Sequence, residues 1–201
     1  MQFHVDISTP HPDFSYTRSS FFTIGPRRRS SRNRGDRLAL VGTARALPRL
    51  DSRTFLRGVI KIVEGVVPPE FPVLHSTTYS YMAQMWSGNK QLHYEAWIRD
   101  RLGVIELGLH FEADALTNAR LLAAFRAHER PIRRALGSDV RIEDWDKGWA
   151  RVWEPVALVT LDRPFLDHIG TRVAAYVTAL EPVLRAELPA DAAWTESRPK
   201  R

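Results

Sequence analysis

Between Leu92 and Asp114 the chain carries nearly the same tetrad twice, Leu-His-Tyr-Glu at 92–95 and Leu-His-Phe-Glu at 109–112. A neutral imidazole offers a ring nitrogen and a glutamate offers a carboxylate oxygen. His93, Glu95, His110 and Glu112 therefore have the donor types of a zinc, manganese or iron site, at which bound water would turn acidic enough for hydrolysis. The plainer reading is that one face of a sheet is polar and these residues decorate it. Glu112 lies beyond His110 and away from Glu95 along a twisting strand, so four ligands to one ion are not expected.

A second constellation is aromatic. Trp97, Trp145, Trp149 and Trp153 punctuate the same half of the chain, with Arg151 between the last two. Trp149, Arg151 and Trp153 alternate, so on a strand they project from one side. Indoles beside a guanidinium can stack a base, a sugar or a cation, or anchor a protein interface. The bland alternative is that these rings are core.

Other chemistries lack their residues. There is no cysteine, which removes disulfides, thiolate metal sites and thiol nucleophiles. None of Lys61, Lys90, Lys147 and Lys200 has an acid two positions before it, as a restriction-type nuclease core requires. "GTARAL" (42–47) lacks the lysine and second glycine of a phosphate loop, and neither GxGxxG nor a serine elbow occurs. The acids Glu143, Asp144, Asp146 and Glu154 crowd one turn, where they are ordinarily solvated. Arg126, Arg130 and Arg133 share a helical face with Glu129 among them, which suits an ion-paired surface better than a phosphate site.

The elements that must position these side chains follow from the apolar periods. Asp51 caps a helix with Phe55, Leu56, Val59, Ile60 and Val63 at helical spacing, ending near Pro68-Pro69. "TTYSYMAQMW" (77–86) reads as one strand and "SGNK" (87–90) as a turn. Residues 92–99 and 104–112 then form a hairpin. Pairing Arg99 with Val104 puts Leu92, Tyr94, Ala96 and Ile98 on the same side as Ile105, Leu107, Leu109 and Phe111. The same register sets His93 opposite His110, Glu95 opposite Gly108 and Trp97 opposite Glu106 on the other side. A helix from Asp114 to Gly137 follows, kinked or broken at Pro131. A second hairpin spans 140–161 with its turn at Asp146-Lys147-Gly148. A last helix begins at the Asp162 cap and ends or bends at Pro182.

The expected fold is α+β, in the order αβββαββα: a largely antiparallel five-stranded sheet whose apolar face the helices cover. The expected organisation is an Arg-rich disordered arm at 1–50, one domain at 51–188 and a polar tail at 189–201. The net charge of +6 belongs to the arm, where ten arginines meet four aspartates within residues 1–53, while residues 54–201 hold 19 basic and 19 acidic side chains. A neutral domain lacks the field that draws proteins to nucleic acid, which leaves weak binding through residues 18–37. No stretch has the length and apolarity of a membrane span or a secretory leader, so a cytoplasmic protein is expected.

The leading functional expectation is a non-catalytic module that binds a partner chain or small ligand, without a cofactor. It would act through an open sheet face bearing Trp97, Trp149, Arg151 and Trp153, with self-association as one outcome. The rival is a zinc- or manganese-dependent hydrolase using His93, Glu95, His110 and Glu112. A third is a nucleic-acid accessory protein acting through the arm.

Overall fold

The computed structural model describes residues 47–188, so the arm up to residue 46 and the tail from residue 189 lie outside the described residues. The chain runs α1 (Ser52–Val66), β1 (His75–Thr78), β2 (Met82–Trp86), β3 (Leu92–Arg99), β4 (Val104–Phe111), α2 (Ala115–Ala127), α3 (Glu129–Leu136), β5 (Arg141–Asp144), β6 (Ala150–Ala157) and α4 (Arg163–Glu187). The fold is α+β. Its sheet is antiparallel throughout, in the order β1-β2-β3-β4-β6-β5. No helix among the described residues is long and apolar enough to cross a membrane.

The sheet has six strands where five were expected. Residues 75–86 break at Tyr79-Ser80-Tyr81, and the Tyr79 amide donates to the Met82 carbonyl to close the turn. The middle helix breaks too, at His128. A proline ring at 131 would collide with the carbonyl of residue 127 in a continuous helix, so α2 ends at Ala127 and Pro131 falls in the first turn of α3. Pro182, in contrast, does not end α4, which continues to Glu187.

Three aspartates start the long helices. The side chain of Asp51 accepts from the Thr54 amide, that of Asp114 from the Leu116 and Thr117 amides, and that of Asp162 from the Phe165 amide. The buried stripes of α1 (Phe55, Leu56, Val59, Ile60, Val63) and α4 (Ile169, Val173, Val177, Leu180) pack on Tyr94, Ala96, Ile105, Leu107 and Leu109 of the sheet. The two helices approach closely at two glycines. A Cβ on Gly58 would stand 2.6 Å from Leu166 Cδ2, and one on Gly170 2.7 Å from Ile62 Cβ. All four α-helices among the described residues lie on this one side.

Candidate functional site

The β3–β4 hairpin pairs as its alternation requires: Arg99 with Val104, then in steps to Leu92 with Phe111. Gly103, in the left-handed region, closes the turn at φ 65°. His93 therefore stands opposite His110, and β6 adds Arg151 opposite His110 on the other flank. On the near side β2 sets Gln84 opposite Glu95. These side chains project from the helix-free face.

That face is not the solvated surface that alternation suggests. His93, Glu95 and His110 are 2%, 3% and 1% exposed, and Arg151 and Trp153 are also buried. Large side chains lie flat to achieve this. Gly108 makes room for Trp153, since a Cβ there would come within 2.6 Å of Trp153 Cβ and 2.5 Å of the Val152 carbonyl oxygen. The Trp153 indole lies against the Arg151 guanidinium at 3.7 Å and donates its N–H to Glu143 at 2.7 Å. Arg151 also donates to Glu143 at 2.8 Å and to Glu106 at 3.4 Å. Trp145 meets the His110 ring edge-on at 5.2 Å and touches Trp149 at 5.6 Å.

Beneath these rings the polar atoms are poorly matched. His93 Nδ1 donates to the Lys90 carbonyl at 2.9 Å, which leaves Nε2 as the nitrogen facing Glu95 Oε1 at 3.0 Å. Gln84 Nε2 donates to the same Glu95 oxygen at 2.7 Å and lies 3.1 Å from His93 Nε2. The three atoms make a nearly equilateral triangle, and the divergent N–H bonds of one amide cannot point along two of its sides. The rings of His93 and His110 are parallel within 10°, with centroids 5.8 Å apart. His110 Nε2 is 3.7 Å from Glu95 Oε2 and Nδ1 is 3.9 Å from Glu112 Oε1, too far for hydrogen bonds, and Nδ1 has no partner.

Burial sets the charge states. It pushes the His110 imidazole down to about 4, so the ring is neutral at physiological pH. Burial alone would raise the Glu95 carboxyl, but its contacts with the His93 and His110 imidazoles and the Gln84 amide outweigh it and hold the group below its usual range. The half-buried Glu112 is shifted upward, chiefly by burial. One atom from each of His93, Glu95 and Glu112 lies within 4.8 Å of the others, a spacing compatible with a shared ion.

The remaining candidates divide. Trp97 stays half-exposed, with the Arg99 guanidinium 4.1 Å from its ring centre, and Trp149 is half-exposed under Lys147. Arg151 and Trp153 are scaffold within the face. The acids of the second hairpin do not converge. Glu143 serves Arg151, Asp144 pairs with Arg126 at 2.9 Å, and Glu154 points to the helical side, where Arg172 binds it. Arg133 pairs with Glu129 at 2.7 Å, as an ion-paired helix surface requires. Sequence reasoning missed Gln84 and Trp86. Reading Met82, Gln84 and Trp86 as alternate residues of a separate strand would have put them on this face. Comparison of the chain with family models, with curated proteins and with solved structures returns no match.

Proposed function

We propose that this protein is a non-catalytic interaction module that receives an acidic protein segment on its helix-free sheet face. One observation carries the reading: all five tryptophans among the described residues (86, 97, 145, 149 and 153) project from that face, and four of them remain half-exposed. Tryptophan and arginine are the residues that anchor interfaces, because a rigid ring buries a large area at small entropic cost.

The choice of an acidic partner rests on which charges stay accessible. Glu95 and Glu106 are buried, and Glu143 is engaged by Arg151 and Trp153. Around them Lys90 lies over Trp86, Arg99 over Trp97, Arg141 over Trp153 and Lys147 over Trp149, each exposed or half-exposed. Arg99 also pairs with Glu106 and Lys147 with Asp146, and Glu112 is partly exposed on the same face, so the rim is aromatic and draws its cationic excess from Lys90 and Arg141. A two-fold dimer through this face would set that rim against its own copy, so a different, acidic chain suits it better.

The test is selection of displayed 12-residue peptides on the full chain at low salt. Acidic sequences with an apolar anchor should be enriched, should perturb tryptophan fluorescence, and should bind more weakly as salt rises. The Trp97→Ala/Trp149→Ala variant should lose them. Basic or charge-neutral winners, or winners indifferent to that variant, would overturn the proposal.

A further inference from the structure

We propose that His93, Glu95 and Glu112, with His110 beside them, form a binding site for one zinc-class divalent metal ion on the helix-free face. The inference stands apart from partner binding, and either can fail without the other.

With its ring neutral, His93 gives its one hydrogen from Nδ1 to the Lys90 carbonyl, and Nε2 then presents a lone pair to the Glu95 carboxylate 3.0 Å away. A carboxylate oxygen also only accepts. The Gln84 amide cannot bridge both atoms with good geometry, so two acceptors face one another inside the fold. His110 repeats the conflict. Its Nδ1 faces Glu112 and its Nε2 faces Glu95 Oε2, so whichever nitrogen lacks the hydrogen turns a lone pair toward a carboxylate. Buried polar groups are normally satisfied, and an exception calls for an explanation. A cation between the acceptors resolves both conflicts at once.

The geometry suits a metal. Two donor atoms each about 2.1 Å from one ion lie about 3.4 Å apart at the tetrahedral angle zinc favours and about 3 Å apart at a right angle, so the 3.0 Å His93–Glu95 separation is near what one ion needs. The hydrogen bond from Nδ1 to a backbone carbonyl is the outer contact that fixes the orientation of a metal-binding histidine. His110, 1% exposed, brings a nitrogen with no partner against Glu112. Nitrogen with carboxylate oxygen, and no sulfur, selects zinc and its neighbours over magnesium or calcium, which prefer oxygen alone. Glu112 is the most exposed member, so the ion enters from its side.

The experiment uses the full chain without a polyhistidine tag, stripped with chelator and titrated with zinc by calorimetry. Cobalt is added in parallel for its visible d–d absorption. The expected result is one ion per chain, a raised melting temperature in zinc but not in equimolar magnesium, and cobalt bands typical of nitrogen and oxygen ligands. Glu112→Gln, at the accessible edge, should weaken zinc at least tenfold with the fold intact. His93→Ala/Glu95→Gln should abolish the site, and Trp149→Ala should keep it. No zinc binding by the wild-type chain would overturn the proposal, and so would binding that survives in Glu112→Gln and the double variant alike. If the double variant fails to fold, Glu112→Gln and the cobalt spectrum still decide.

Discussion

The two sides of the sheet each bury carboxylates, and they treat them differently. On the helical side, Glu154 is gripped by the Nε and Nη2 donors of Arg172, which also reaches the Leu136 carbonyl. Glu181 receives Ser87 at 2.5 Å, Tyr94 at 3.0 Å and Arg185 at 3.1 Å. Each acceptor meets donors. On the helix-free side Glu106 also meets donors, from Arg99 and Arg151, but Glu95, beside its Gln84 donor, faces the His93 ring, and His110 Nδ1 has no partner among the described residues. The first kind of burial leaves each acceptor satisfied; the second leaves polar groups short of donors. The helical side has one exception, the Tyr176 hydroxyl, which is buried without a partner.

The contrast is open to attack at four points. The largest effect belongs to Arg172→Ala, which strands a buried carboxylate. It should cost about 3 kcal/mol in urea unfolding, whereas replacing Arg172 and Glu154 together by Met and Gln should cost much less. A loss under about 1 kcal/mol would mean that the helical-side pair is ornamental.

Alkaline pH comes next. Burial raises the hydroxyl pKa of Tyr94, assisted by Glu181, and that of Tyr176, assisted by Glu154. The folded chain therefore keeps protons that the unfolded chain releases above its ordinary tyrosine value near 10. The unfolded state then binds fewer protons, so stability is full below pH 10 and falls by about 1.4 kcal/mol per pH unit for each tyrosine above it. Tyr176→Phe should remove one of these two contributions and should cost nothing at pH 7, because it deletes an unsatisfied group. Denaturant midpoints at pH 7, 10 and 11 measure both.

Third, Trp97→Ala should lower stability by only about 1 kcal/mol, since the ring is partly in water already, while removing peptide binding. A drop of several kcal/mol in its urea midpoint would make the aromatic row part of the scaffold.

The smallest expected effect is the most telling. Glu95→Gln, at a site only 3% exposed, should change metal-free stability by less than about 1 kcal/mol, because the new amide can donate to His93 Nε2. Severe destabilisation would place Glu95 in the same class as Glu154 and remove the contrast.

The β3–β4 hairpin was legible because both strands alternate strictly and a slip of one residue would turn Leu92, Tyr94, Ala96 and Ile98 out of the core. The helix starts were legible because Asp51, Asp114 and Asp162 cap by local bonds. The sixth strand was not. Tyr79-Ser80-Tyr81 turns the chain with two strand-favouring tyrosines around one weak turn-former, Ser80, and contains no glycine, proline or asparagine, so little local marks the break. That the tetrad residues share a face followed from register. Their burial did not, because it depends on Trp153 lying over Gly108 and Trp145 meeting His110, contacts made between strands that no single alternation records.

The outer strands have a bearing on how the protein can associate. β1 and β5 are four residues long beside eight-residue β3, β4 and β6. The β5 register stops at Trp153, so residues 154–157 of β6 have no neighbour on that flank, and Pro155, which has no N–H to offer, stands among them. A stretch so brief and so interrupted is a poor template for an incoming strand. Growth of the sheet from chain to chain, the usual road to fibres, is discouraged along this rim.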